Sequence, residues 1–107
     1  EDDGRTVGTV RLDAAGPGAL EVSLAVAPEE RGRGYALALL RAAEDAARER
    51  GAVCLVAFIR RENARSRRAF EAAGYHGFVD ADRDGVVLWR CARRITPYPP
   101  TTTPGAS

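Results

Sequence analysis

The chain has 107 residues, with 16 Lys+Arg against 15 Asp+Glu, 45% apolar residues and 29% charged ones. That balance is the one expected of a single soluble globular domain, large enough for a modest core without disulfide or metal staples. It excludes whole-chain disorder and a membrane-spanning helix, which needs ~20 consecutive apolar residues, and a net charge of +1 gives no electrostatic case for a nucleic-acid partner.

In chain order, Thr6–Leu12 alternates with a period of two and reads as a strand. Asp13–Gly18 carries the Gly and Pro of a reversal. Leu20–Ala27 alternates more cleanly, with Leu20, Val22, Leu24 and Val26 on one face and Glu21, Ser23, Ala25 and Ala27 on the other. Pro28–Gly34 breaks that strand, and a helix is expected over Tyr35–Arg50, its stripe formed by Leu37, Leu40, Ala43 and Ala47. Gly51 supplies the left-handed residue that closes a helix. Ala52–Ile59 is a continuous apolar run, the sign of a strand buried on both faces. Asn63 is placed to cap a second helix that runs to Ala73 and stops at Gly74. Tyr75–Asp80 and Val86–Cys91 read as two strands joined by an Asp80–Gly85 turn. The order β-β-α-β-α-β-β gives an α/β fold with a mixed, mostly antiparallel sheet. Residues 1–94 form the domain, and the Pro- and Thr-rich residues 95–107 are expected to be a flexible tail.

Two segments carry chemistry. In Val26–Ala36 a strand runs into a glycine turn and a helix begins, so unpaired backbone N–H groups face outward and attract phosphate. Gly32 and Gly34 allow close approach to the backbone, and Arg31 and Arg33 add positive charge beside it. Taken alone, the segment is also compatible with a simple strand–helix connection. Asn63, Ser66 and Phe70 share one helix face, offering an amide, a hydroxyl and an apolar platform. Their plain alternative is an N-cap, a solvated serine and a core phenylalanine. Arg60, Arg61, Arg65, Arg67 and Arg68 form the densest basic patch, read first as a solvated face. Cys54 and Cys91 are expected to be reduced, as in a cytoplasmic protein, and no cysteine–histidine cluster supports a metal.

Together these motifs resemble a family. Arg31-Gly32-Arg33-Gly34-Tyr35-Ala36 matches the R-x-x-G-x-A coenzyme A signature of the GNAT N-acetyltransferases. Asn63-x-x-Ser66-x-x-x-Phe70-Glu71-x-x-Gly74-Tyr75 matches that family's second motif, one helix and one buried strand later. The resemblance implies acetyl transfer from acetyl-CoA to a primary amine of a small molecule or protein. It also implies that the backbone of Leu24, Ala25, Val26 and Ala27 pairs with the pantetheine arm. The amides of Arg31, Gly32, Arg33, Gly34, Tyr35 and Ala36 would hold the pyrophosphate, with Asn63, Ser66 and Phe70 across the cleft. Glu21 falls where many members carry the carboxylate that deprotonates the amine, its plain alternative being a solvated strand carboxylate. The basic patch gains a second reading, contact with the 3′-phosphate of coenzyme A. Phe70 stands where many members have a tyrosine that protonates the departing thiolate, and phenylalanine has no proton to give. With no Met in the chain, the sequence is expected to be a piece of a longer protein, lacking a strand and two helices that members place before this region. A non-catalytic acyl-CoA-binding module of a larger enzyme is the alternative reading. Neither a nucleic-acid nor a membrane partner is implied, and a homodimer is among the family's habits.

Overall fold

The computed structural model describes residues 8–26 and 34–99. Strands β1 (Gly8–Ala14) and β2 (Ala19–Val26) form an antiparallel pair. Helix α1 (Tyr35–Glu49), strand β3 (Cys54–Arg60), helix α2 (Ala64–Ala72) and strands β4 (His76–Arg83) and β5 (Val86–Arg94) follow. The sheet order is β1-β2-β3-β5-β4, antiparallel throughout except between β2 and β3. This is the expected mixed, mostly antiparallel α/β sheet.

Both helices lie on one face of the sheet. Leu40, Ala43 and Ala47 of α1 and Phe70 of α2 are buried in one cluster with Val22, Leu55, Ala57, Ile59 and Cys91. Residues one step out of phase look the other way, so Glu21, Val56, Phe58, Leu88 and Arg90 share the opposite face.

Each helix ends in the same device. After α1, Gly51 adopts φ +80°, its N–H donates to the Arg48 carbonyl, and the Ala52 N–H reaches back to the Ala47 carbonyl at 3.0 Å. After α2, Gly74 adopts φ +99°, and the Tyr75 N–H donates to the Phe70 carbonyl at 2.9 Å. These are Schellman closures, which satisfy carbonyls that the helix leaves open. The second carries the hydrophobic contact such closures favour, because the Phe70 and Tyr75 rings meet edge to face with centroids 4.8 Å apart.

Two expectations are corrected. The strands of the last hairpin run further than read, and the turn shrinks to Asp84-Gly85, with φ 55° and 83°. Two consecutive left-handed residues are the signature of a type I′ turn, and they let Ala81 and Arg83 stay in the ladder opposite Leu88 and Val86. The tail, in turn, begins ordered: Ile95 is buried in the core and donates its N–H to the Val53 carbonyl. Tyr98 continues the docking, its N–H donating to the Arg48 carbonyl and its hydroxyl hydrogen-bonding Asp45 at 3.0 Å. Proline content hid an isoleucine that the core still had room for.

Behind α1, Glu44 accepts hydrogen bonds from Arg93 at 2.6 and 3.3 Å and from Arg48. Arg93 spreads over Gly74, where a Cβ would come within 2.3 Å of its Nη1 and displace the guanidinium, while the φ of +99° itself favours glycine. The bonds from Arg93 hold the Glu44 carboxyl below its ordinary value of 4.5. A lowered folded-state value means stability that is fully present above about pH 4.5 and is lost as pH falls through the folded value. Melting temperature is therefore expected to decline on acidification below about pH 5. Glu44→Gln should flatten part of that decline while lowering stability at pH 7.

Candidate active site

Strands β2 and β3 pair only over Ala19–Glu21 against Cys54–Val56. Beyond Glu21, β2 continues to Val26 paired with β1, and β3 continues to Arg60 paired with β5. The two strands therefore fork, and among the described residues the β2 edge beyond Glu21 has no ladder partner on its β3 side. A strand edge of this kind offers backbone N–H and C=O groups to an extended ligand.

The fork opens into a cavity of about 480 Å³. One wall is Leu24, Ala25 and Val26; another is the start of α1 at Gly34, Ala36 and Leu37; the third is α2 at Asn63, Ser66 and Ala69. Gly34 caps α1 in a left-handed conformation, φ +81°, with no side-chain capping bond. The first intrahelical bond at this end runs from the Ala38 N–H to the Gly34 carbonyl, so the preceding amides lack partners within the helix. Among the described residues no atom lies within 4 Å of where a Gly34 Cβ would stand. Across the cleft, Asn63 Oδ1 accepts the Ser66 N–H at 3.1 Å and caps α2. Its amide nitrogen and the Ser66 hydroxyl have no hydrogen-bond partner among the described residues and stand as donors on the cavity wall.

Leu24, Ala25, Val26, Gly34, Ala36, Asn63 and Ser66 are thus brought together as expected from the sequence. Tyr35 opens α1 beside them without lining the cavity. Ala27, Arg31, Gly32 and Arg33 lie outside the described residues. Phe70 does not line the cleft: it is 2% exposed and packs in the core, because its helix turns it toward Tyr75. Four cavity residues were not singled out individually from the sequence: Leu37, Arg65, Arg68 and Ala69. The two arginines were visible only as part of a basic patch, which the fold divides. Arg60 pairs with Glu62, Arg61 with Asp80, and Arg67 with Glu71 while lying 4.5 Å from both the Phe78 and Trp89 ring centroids. Arg65 and Arg68 form no ion pair among the described residues and stand on the cavity rim.

Glu21 sits at the base of the fork on the face away from the helices. Both its oxygens are held by Arg83, Nη1 to Oε2 at 2.9 Å and Nη2 to Oε1 at 3.1 Å. Arg83 falls within the Asp80–Gly85 turn expected from the sequence, which carries no signal for this contact. Neither cysteine is placed as a nucleophile. Burial pushes the Cys91 thiol up to about 12, leaving it protonated at neutral pH, and the Cys54 thiol on β3 is directed at the Leu55 carbonyl, with no basic partner among the described residues. Among the described residues no group of His, Cys, Asp and Glu has the makings of a metal site.

The family model described as "Acetyltransferase (GNAT) family" matches residues 1–75. No curated protein matches the chain in sequence. Among solved structures, an IAA acetyltransferase from Bacillus cereus is 21% identical with a TM-score of 0.73, over 89% of this chain and 74% of that one. An aminoglycoside acetyltransferase in complex with coenzyme A is 14% identical with a TM-score of 0.74, over 86% and 61%. A spermidine N-acetyltransferase from Vibrio cholerae, in complex with CoA and spermine, is 20% identical with a TM-score of 0.68, over 82% and 57%. At these identities the likeness is one of fold, and the chain spans between 57% and 74% of the length of these structures.

Proposed function

Because the chain belongs to the GNAT family of acetyltransferases, we propose that it transfers an acetyl group from acetyl-CoA to a primary amine of a small molecule or protein. The observation that carries this is the fork: the Leu24–Val26 strand edge, the start of α1 and two arginines, none of them with a strand or ion-pair partner there among the described residues, converge on one extended cavity. The Leu24–Val26 edge would take the amide groups of the pantetheine arm, and the Gly34–Ala36 amides the pyrophosphate. Arg65 and Arg68 would meet the outer phosphate. Solved complexes of fold relatives with coenzyme A support the same cosubstrate.

Acetyl-CoA supplies an activated carbonyl; the amine nitrogen forms a C–N bond to it as the C–S bond breaks, and the sulfur leaves as a thiolate. The chain's part is positioning and proton removal. Glu21 would accept the proton lost by the amine. With phenylalanine at position 70, the thiolate would draw its proton from solvent, which a thiol with pKa near 8.5 tolerates. The two free cysteines fit a cytoplasmic setting, and no described helix is long and apolar enough to cross a membrane. A homodimer belongs to the same proposal.

Binding to the folded state raises stability by RT ln(1 + [L]/Kd), about 2.7 kcal/mol at a hundredfold excess over Kd. Millimolar acetyl-CoA is therefore expected to raise the melting temperature by several degrees. Gly34→Glu should remove most of that shift, because a carboxylate would face the phosphates and the left-handed backbone disfavours a side chain. No shift in the wild type would sink the proposal. A shift without thiol release against any amine would favour the acyl-CoA-binding module.

A further inference from the structure

The proposed base is already engaged. Glu21 is the last β2 residue paired with β3, and its carboxylate is gripped at both oxygens by Arg83. Arg83 comes from β4, which β5 and β3 separate from β2. Its guanidinium crosses the Phe58 ring, 4.0 Å from the centroid, to reach Glu21. The pair therefore spans the fork on the face opposite the helices. Both carboxylate oxygens are thus occupied, and an incoming amine reaches one of them only after Arg83 lets it go.

We infer that the acceptor is an amine with an anionic group beside it, as in a free α-amino acid, whose anion takes the Arg83 guanidinium while its amine takes Glu21. This rests on the proposed acetyl transfer. Insertion of such a zwitterion replaces one ion pair with two and leaves no charge unmatched. A diamine would put a second cation against Arg83, and an amine without an anion would free Glu21 only by stranding the guanidinium. Arg83 and Glu21 side chains are 46% and 20% exposed. A pair so accessible to water contributes little to stability, so an exchange of partners is cheap.

The surroundings have the matching polarity. Asp13, directly across from Glu21 on β1, adds a carboxylate on the amine side, itself paired with Arg11 at 2.9 Å. Arg90, across from both Phe58 and Val79, adds positive charge on the anion side. Between them lies an apolar floor of Val56 and Phe58. Once Arg83 has moved to the acceptor's anion, Glu21 is released to take the ammonium proton next to the fork.

Calorimetric titration of the twenty standard amino acids, their methyl esters and putrescine into the protein, with and without saturating coenzyme A, tests this directly. Expected is at least one free amino acid binding tenfold or more tightly than its own ester and than putrescine. Arg83→Gln should erase that preference by weakening the free acid at least tenfold while the ester and putrescine bind more tightly. In a thiol-release assay the same variant should raise KM for the free acid and not for the ester. Equal binding of acid and ester, preference for putrescine, or no binding by any amino acid would overturn the inference. So would an Arg83→Gln variant that loses all acceptors in proportion. Failure of coenzyme A itself to bind would overturn the acetyltransferase proposal instead, since the comparison of acid with ester is read without it.

Discussion

Glu21→Gln is expected to lower kcat/KM by roughly 10²–10⁴, the usual worth of a positioned base, with coenzyme A affinity little changed. Glutamine keeps the size of the side chain and removes its ability to take a proton. Glu21 lies on the opposite face of the sheet from the helices, and it is not part of the cavity wall. Binding of the cosubstrate should therefore not feel the change. Loss of the ion pair to Arg83 should cost at most about 1 kcal/mol, since the pair is partly exposed. A steady-state assay against a calorimetric Kd separates the two effects. Full activity from pH 6 to 9 in the variant would make Glu21 a bystander.

Phe70→Ala is expected to cost about 3–5 kcal/mol of stability. The side chain is among the largest fully buried ones, and its ring supports Tyr75 across the closure of α2. Truncation leaves a cavity between the helix end and the sheet and removes the contact that secures the Gly74 turn. At about 4–8 °C per kcal/mol for a domain of this size, a thermal melt should fall by ~12 °C or more. A change below ~4 °C would mean that Phe70 is not part of the core and would restore it to the cleft.

Where local pattern decides structure, the chain was readable. The alternation of Leu20–Val26, the stripe of Leu40, Ala43 and Ala47, and the stops at Gly51 and Gly74 each follow from neighbours within one or two turns. The cavity walls at Gly34, Asn63 and Ser66 were legible because their chemistry depends on position at a helix start. What failed to show was set by distant pairing. Arg83 meets Glu21 across 62 residues, and only the order β2-β3-β5-β4 with its two-residue turn brings them together. Arg65 and Arg68 could not be told from Arg60, Arg61 and Arg67 until the fold supplied the acidic and aromatic partners of the latter. Phe70 suited either a ligand platform or the core, and the face of α2 that meets the sheet decided it.

Backbone amide NMR of the protein titrated with coenzyme A addresses the site most directly. Saturable shifts are expected to be largest at Leu24–Val26, at Gly34–Ala36 and at Asn63–Ser66, the three walls of the fork, with β4 and β5 little moved. Shifts confined to other surfaces, or none at millimolar coenzyme A with the protein folded, would contradict the assignment of this cleft.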